Sequence, residues 1–161
     1  MSASLPTLGA VRVVPADLHD PRVAVLLAEH LAEMEPTAPP ESRHALTLDQ
    51  FRVPGVRLWV AELDGELVGS VALKEVGSGH LELKTMRASA SVRGLGLGRA
   101  LLTHALAEAR ASGARRVSLE TGVVPAFDAA RALYASAGFS PCEPFGSYHP
   151  DRHSVFLTLE L

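Results

Sequence analysis

The sequence contains a single cysteine, and this scarcity excludes two classes of protein. Cys142 stands alone among 161 residues, so neither an intrachain disulfide nor a cysteine-based metal cluster can form. That usage is typical of a reducing compartment. The N-terminus lacks the basic start and apolar stretch of a signal peptide, and no apolar run approaches the ~20 residues of a membrane span. We therefore expect a cytoplasmic protein without a membrane partner.

The sequence also lacks an excess of basic residues. Its formal net charge is −3 and its pI is near 6.1, whereas a nucleic-acid-binding surface needs a basic stripe. We therefore expect no nucleic-acid partner. Hydrophobic residues make up 47% of the chain and charged residues 20%, which is ordinary globular composition. The length suits one domain with a sizeable core, so residues 1–161 are predicted to form a single domain.

Hydrophobic periodicity and turn signals predict a mixed fold of helices and strands. In chain order we predict a strand at 11–13, helices at 17–35 and 46–52, strands at 58–63, 66–74 and 80–88, a helix at 99–111, a strand at 117–121, a helix at 128–137 and two closing strands, the last at 155–161. Asp64-Gly65 between two apolar runs is a strong hairpin signal. The predicted order is β-α-α-β-β-β-α-β-α-β-β, an α/β or α+β domain around a mixed sheet.

A glycine-rich loop between the strand at 80–88 and the following helix predicts an anion site. Gly94, Gly96 and Gly98 carry no side chains, so a ligand can approach the backbone closely. The helix that follows supplies unpaired N–H groups and a partial positive charge at its start. Arg93 and Arg99 flank the loop and offer charge-assisted hydrogen bonds.

Other interpretations of this loop are weaker. A connector that binds nothing needs fewer glycines than three at alternate positions. A dinucleotide fingerprint would use Glu120 as the ribose-binding acid, but Arg99 occupies the position where Gly or Ala is needed. The strand before the loop also follows two hairpins, whereas that fingerprint usually opens a parallel sheet. A P-loop is excluded because no Gly-Lys-Ser/Thr is present.

The segment Arg93-Gly94-Leu95-Gly96-Leu97-Gly98 resembles the R/Q-x-x-G-x-G/A motif of the GNAT superfamily of N-acetyltransferases. The strands and helices on either side, and the run Ala130 to Phe139, follow that family's order and spacing. The resemblance covers about residues 9–161, and residues 80–139 are its specific part. It implies a mixed, mostly antiparallel central sheet flanked by helices. Pro144 to Tyr148, with Ser154 to Phe156, is similar to a bacterial branch of mostly unassigned substrate.

The resemblance implies where the donor, acetyl-CoA, binds. In the family the strand before the loop splays from its neighbour, and the pantetheine arm lies in the opening. Phe127 stands where the family often has an Asn that contacts the cofactor. The cofactor-binding residues implied in this way are Met86, Arg87 and Ala88 in the strand, Arg93, Gly94, Leu95, Gly96, Leu97, Gly98 and Arg99 in the loop, and Phe127 and Tyr134 after it.

Attack on a thioester requires a neutral amine, so the reaction needs a base. Glu82 resembles in position the carboxylate that several family members use, and partial desolvation there would raise its pKa. An exposed strand glutamate is the competing interpretation, and His80 or a water relay is the alternative base. Tyr134 matches the family pattern A-x-x-x-Y-x-x-x-G-F and would be the general acid for the departing thiolate. The competing interpretation is a tyrosine whose hydroxyl lies at the surface.

The family's acceptor site usually forms from the helix pair after the first strand and the loop between the last two strands. The acceptor-site candidates are therefore Glu29, Glu33, Ser42, His44, His80 and Tyr148. His149 and His153 do not predict a metal site, because no second ligand cluster accompanies them. We expect transfer of acetyl from acetyl-CoA to a primary amine of a small molecule or peptide, by direct attack in a ternary complex. A non-catalytic acyl-CoA sensor is the alternative, and a homodimer is common in the family.

Overall fold

A seven-stranded sheet organises the chain in the computed structural model, which describes residues 8–161. Residues 1–7 lie outside the described part. The predicted domain includes them, and the prediction that the N-terminus is not a signal peptide also concerns them. The strands are β1 (Arg12–Pro15), β2 (Val56–Leu63), β3 (Glu66–Gly77), β4 (His80–Ala88), β5 (Arg116–Gly122), β6 (Ser140–Pro141) and β7 (Ser154–Glu160). Their spatial order is β1-β2-β3-β4-β5-β7-β6, and β4 with β5 is the parallel pair among antiparallel neighbours.

Three α-helices cover the two faces of this sheet: α1 (Pro21–Met34), α2 (Leu97–Ala111) and α3 (Asp128–Ser136). The core beneath α1 includes Leu58 and Ala72. The core on the opposite face joins α2 and α3 to residues such as Val71 and Leu119. Because β-strand side chains alternate between faces, neighbours such as Val71 and Ala72 serve different cores. The predicted mixed, mostly antiparallel sheet flanked by helices is confirmed.

The predicted second helix at 46–52 is the main difference in element type. The segment forms a 3₁₀ helix over Leu48–Arg52, capped at Thr47 by a reciprocal hydrogen-bonding arrangement with Gln50. It cannot lengthen because Pro54 follows Val53 and disfavours helical backbone there. Val53 accordingly adopts extended angles, with φ −82° and ψ 150°.

The structure contains the two predicted features that depend on local sequence alone: the hairpin turn after β2 and the glycine start of α2. Asp64 and Gly65 both have positive φ, 51° and 81°, as the predicted type I′ hairpin turn between β2 and β3 requires. Gly96 has φ 86° and caps α2, so the helix begins at Leu97. That start is two residues earlier than the prediction, and it places Gly98 and Arg99 in the first helical turn.

A bulge interrupts β4 just before the glycine-rich loop. Ser70 of β3 pairs with Arg87 while Ala72 pairs with Lys84, so two residues of β4 oppose one of β3. Thr85, inside the bulge, has φ 55°, which is unusual for a β-branched residue. The buried hydroxyl of Ser70 donates a hydrogen bond to the Thr85 carbonyl at 2.7 Å and stabilises this backbone shape.

Within residues 8–161, no helix combines the length and the apolar character that crossing a membrane requires.

Candidate active site

A cavity of about 130 Å³ lies where β4 and β5 separate. The parallel pairing of these strands ends at Glu82 and Ser118. Beyond that pair the strands diverge, as the family resemblance implied. The opening connects the α1 face of the sheet with the α3 face. It is lined by His30 and Met34 of α1, residues 37–38 and 42–45, residues 83–86 of β4, residues 120–122 of β5, Phe127, Ala130, Tyr134 and His153.

Tyr134 of α3 reaches this cavity from the interior of the protein. Its side chain is only 7% exposed, and its ring makes an edge contact with Phe139 at a centroid distance of 5.8 Å. The tyrosine therefore does not lie at the surface. Burial, and then the charge of Glu120, raise the pKa of the Tyr134 hydroxyl above its ordinary value. The hydroxyl is therefore protonated at neutral pH.

Glu120 of β5 lies in the same cavity, although sequence reasoning considered it only as a ribose-binding acid. Its carboxylate accepts a hydrogen bond from the Ser154 hydroxyl at 2.7 Å. Desolvation by burial raises the pKa of Glu120 above its ordinary value, despite the opposing Ser154 hydrogen bond and the charge of His44. A carboxyl group with a raised pKa beside a cavity is a good candidate for proton transfer. The sequence feature that could have predicted this role is the position of Glu120 in the strand that flanks the predicted opening.

Glu82, the predicted base, lies on β4 outside the lining of that cavity. It is only 2% exposed, so it is not an exposed strand glutamate. Its carboxylate accepts hydrogen bonds from the Tyr148 hydroxyl and from Lys84 Nζ, the latter at 3.3 Å. Glu82 instead lines an adjoining groove, which we call the acceptor-side groove. This groove shares residues 43–45 and Lys84 with the cavity.

His80, the alternative base, lies at the start of β4, where β4 and β5 are still paired. Its Nε2 is 2.7 Å from the Ser118 hydroxyl, and its ring is 5.7 Å from that of Phe145. Burial is the first cause that lowers the pKa of His80. The structure therefore places His80 away from Tyr134, among residues that do not line the cavity.

The glycine-rich loop presents backbone N–H groups at the start of α2. Gly94 and Gly96 have φ of 80° and 86°, and the first hydrogen bond of the helix joins Ala100 N to Gly96 O at 3.1 Å. The N–H groups at the start of a helix have no partner within it. Arg99 is exposed, and its guanidinium is 3.5 Å from the Ser136 hydroxyl. The Arg93 side chain instead points toward Ala88 and donates to its carbonyl at 3.0 Å.

Two of the predicted acceptor residues, Glu29 and Glu33 of α1, form an ion-pair cluster. Arg87 of β4 lies 2.8 Å from Glu33 and 3.3 Å from Glu29, and Arg93 lies 3.0 Å from Glu33. The hydrogen bond from Arg87 is the main cause that holds the pKa of Glu33 below its ordinary value. The cluster ties α1 to the strand and the loop that form the predicted donor site.

Three more predicted acceptor residues, Ser42, His44 and Tyr148, lie near one another beside the opening, whereas His80 does not line it. Ser42 and His44 line the cavity, and His44 also lines the acceptor-side groove. The ring of His44 makes an edge contact with Tyr148 at 4.9 Å between centroids. The structure therefore brings Ser42, His44 and Tyr148 together, and separates them from Glu29 and Glu33 with their arginine partners.

Phe127 closes the cavity at the end of β5. A Cβ added to Gly122 would lie 2.3 Å from the Phe127 ring, which shows how closely the ring packs on the strand. Phe127 and Tyr134 therefore line the same end of the opening.

The part of the chain that the structure describes contains no group of three or more His, Cys, Asp or Glu residues able to hold a metal ion. The imidazole of His153 lies instead beside its neighbour Arg152, 3.3 Å from that residue's Nε.

Comparison with known proteins supports one family. A model described as "Acetyltransferase (GNAT) family" matches residues 24–139. The uncharacterized N-acetyltransferase YsnE of Bacillus subtilis strain 168 is 46% identical over 90% of this chain and 96% of its own length. YedL of Escherichia coli K12, an uncharacterized N-acetyltransferase, is 41% identical over 90% of this chain and 91% of its own. A solved structure from Klebsiella pneumoniae, described as an acyl-CoA N-acyltransferase, has a TM-score of 0.75 and 28% identity, covering 94% of this chain and 97% of that one.

Replacing Glu120 with Gln tests whether its half-buried carboxyl group destabilises the fold when it is ionised. Because the folded-state pKa of Glu120 is raised, its favourable contribution is complete below its ordinary pKa of about 4.3 and is lost as pH rises through the folded value. We expect Glu120→Gln to increase the free energy of unfolding at about pH 7 and to have less effect near pH 4, measured by urea denaturation. Glu66→Gln, on an exposed glutamate, is the control. A pH-independent difference would contradict the raised pKa.

Proposed function

This chain belongs to the GNAT family of acetyltransferases, and on that premise we propose that it transfers acetyl from acetyl-CoA to a primary amine of a small molecule or peptide. The family relationship establishes an acyl-CoA N-acyltransferase. One observation carries the more specific proposal: the cavity between β4 and β5 is lined by both a buried hydroxyl and a carboxyl group of raised pKa. The single cysteine supports a cytoplasmic location.

The donor binds across the start of α2 and along the opening in the sheet. Backbone N–H groups from Gly94 to Arg99 hold the pyrophosphate, because a helix N-terminus attracts anions. The pantetheine arm extends beside Met86 and Ala88 of β4, where the bulge and the end of the β4–β5 pairing leave backbone groups without a neighbouring strand. Backbone amides of this strand polarise the thioester carbonyl. Exposed Arg99 adds charge at the phosphates.

Glu120 is the proposed base. It lines the cavity that also contains Tyr134, whereas Glu82 lies in the adjoining groove and already accepts two hydrogen bonds. Glu120 removes a proton from the ammonium form of the acceptor, directly or through water, and the neutral amine attacks the thioester carbonyl carbon. Glu82 remains the alternative base, acting from the groove.

Tyr134 is the proposed acid. As the tetrahedral intermediate collapses, the carbon–sulfur bond breaks and the thiolate of coenzyme A takes the hydroxyl proton of Tyr134. The hydroxyl carries its proton at neutral pH, as a phenol with an ordinary pKa of about 10 does, and Tyr134 lines the cavity where the thioester is proposed to lie. The products are the N-acetylated amine and coenzyme A. Proton donation by a positioned side chain typically contributes about 10²- to 10⁴-fold to the rate.

We expect Tyr134→Phe to lower kcat by about 10²-fold, because the leaving thiolate loses its proton donor. The Kd for acetyl-CoA should change little, since the phenyl ring keeps its contact with Phe139. Thiol release over an amine panel and calorimetric binding measure the two quantities. Unchanged kcat would remove Tyr134 from the mechanism. Binding of acetyl-CoA by the unmodified protein, without acetylation of any small amine, peptide N-terminus or lysine, would favour the sensor function.

The pH profile of kcat/KM distinguishes the two glutamates. The base must be deprotonated, so activity should rise with pH through the raised pKa of the free enzyme's base. We expect Glu120→Gln to remove this acid limb and to lower kcat by about 10²-fold or more. Glu82→Gln should retain the limb. The opposite pattern would assign the base to Glu82, and a limb that survives in both variants would point to a water relay.

Two glycines with the same backbone geometry test the phosphate site. Gly94 and Gly113 have φ of 80° and 83°, and a Cβ at either position would meet nothing within 4 Å. Gly94→Ala and Gly113→Ala should therefore lose similar stability, about 1 kcal/mol, for a side chain in left-handed backbone. Only Gly94→Ala should weaken binding of coenzyme A, by about tenfold, measured by calorimetry. Equal affinity in both variants would argue against phosphate binding at this loop.

A further inference from the structure

Arg43 stands at the boundary between the cavity and the acceptor-side groove. It follows the 3₁₀ turn Pro40–Ser42 in extended backbone, with φ −100° and ψ 124°. Its side chain is half-buried and lines both spaces. Its neighbours Ser42 and His44 are among the predicted acceptor residues, whereas no sequence pattern predicted a role for Arg43. Its position therefore places a guanidinium between the reaction centre and the groove.

The guanidinium of Arg43 lacks the partners that other arginines near the site possess. Its Nε is buried and has no hydrogen-bond acceptor among residues 8–161. Arg87 and Arg93, by contrast, are both paired with Glu33. The ion pairs within the described part of the chain do not include Arg43. A guanidinium stays charged at every physiological pH, and a buried N–H without an acceptor is unfavourable. An anionic ligand group in the cavity would therefore pair with the other N–H groups of the Arg43 guanidinium.

Lys84 is the other lysine or arginine in the described lining of the cavity, and it already has a carboxylate partner. Lys84 lies 3.3 Å from Glu82 and 2.9 Å from the Tyr148 hydroxyl, so its charge is largely offset. Burial, followed by the charge of Arg87, lowers the pKa of His30 to about 4, so His30 is neutral at neutral pH. Of the lysine and arginine residues in the described lining, Arg43 is thus the one that has no carboxylate partner.

Two further polar atoms in the lining also lack partners. His30 Nδ1 and Thr85 Oγ1 are buried without a hydrogen bond among the described residues, and both residues are more than nine-tenths buried. Together with Arg43 they contribute three of the four such side-chain atoms. Buried polar groups in folded proteins are normally hydrogen-bonded, so the residues that line this cavity have unused hydrogen-bonding capacity.

We propose that the acetyl acceptor is an amine that carries a carboxylate, such as an amino acid, and that Arg43 binds this carboxylate. The inference rests on the proposed acetyltransferase function and specifies its substrate class. Glu120 is the carboxyl residue in the described lining of the cavity. A zwitterionic acceptor therefore fits in one orientation, with its ammonium group toward Glu120 and its carboxylate toward Arg43. A guanidinium and a carboxylate can form two parallel hydrogen bonds, which fixes that orientation.

The first test compares the common amino acids with their primary amides as acceptors. Conversion to the amide removes the negative charge, and it also lowers the amine pKa, so the amide has more of the reactive neutral amine. A preference for the acid therefore cannot arise from amine basicity. We expect the best acid to exceed its amide in kcat/KM by at least about tenfold. Arg43→Gln should reduce that ratio to about one, and Arg43→Lys should retain part of it.

The second test does not need turnover. Calorimetry in the presence of coenzyme A measures binding of N-acetyl amino acids, the expected products, and of their primary amides. We expect the acids to bind at least about tenfold more tightly than the amides in the unmodified protein and equally in Arg43→Gln. Thermal melting of both variants checks that they fold, and retained coenzyme A binding checks the donor site.

The outcomes separate this inference from the proposed function. Acetylation of amines with no preference for acids, or a preference that persists in Arg43→Gln, would overturn the carboxylate site while leaving the acetyltransferase intact. Arg43-dependent binding of acids without acetylation of any amine would support the carboxylate site and contradict the proposed enzyme. Equal binding of acids and amides, together with no acetylation, would overturn both.

Discussion

The short parallel pairing between β4 and β5 is the constraint on which the rest of this structure depends. Three residue pairs join the two strands, and the pairing stops at Glu82 and Ser118. A continuous ladder would have filled the space with backbone hydrogen bonds and separated the two faces of the sheet. The divergence instead creates an opening that residues of both α1 and α3 line. The bulge at Thr85, stabilised by the buried Ser70 hydroxyl, maintains the shape of β4 beside that opening.

The same divergence gives buried Glu82 and half-buried Glu120 different environments. Glu82 lies at the last paired position, where Tyr148 and Lys84 donate hydrogen bonds to it and connect the loop before β7 to the sheet. Glu120 lies beyond the pairing and accepts one side-chain hydrogen bond, from Ser154. Desolvation by burial raises the pKa of Glu120, although the Ser154 hydrogen bond opposes the shift. The proposed base, Glu120, is thus the glutamate that lies beyond the end of the β4–β5 pairing.

Charge is distributed unevenly on the α1 side of the opening. Glu29 and Glu33 neutralise Arg87 and Arg93 and fasten the helix to the start of the glycine-rich loop. Because the Arg93 side chain is held in this cluster, the proposed phosphate site at the start of α2 relies on backbone N–H groups and on Arg99. Arg43 is left without such a partner among the described residues, so the donor side is electrostatically satisfied while the acceptor side is not. Arg87 and Arg93 thus hold elements of the fold together, whereas Arg43 is the arginine proposed to bind a ligand.

The sequence by itself determined the features whose causes are local. Positive φ at Asp64-Gly65 and at Gly96 follows from residue type, so the hairpin and the glycine-rich start of α2 could be predicted within two residues. Apolar periodicity likewise predicted the strands and helices around them. Only the tertiary structure decided which polar residues share a cavity. Glu82 meets Tyr148 across 66 positions and Glu120 meets Ser154 across 34, and no local pattern encodes such contacts. Desolvation and charge pairing depend on these long-range neighbours, so the proposed roles of Glu120 as base and of Arg43 as carboxylate partner emerged only from the folded chain.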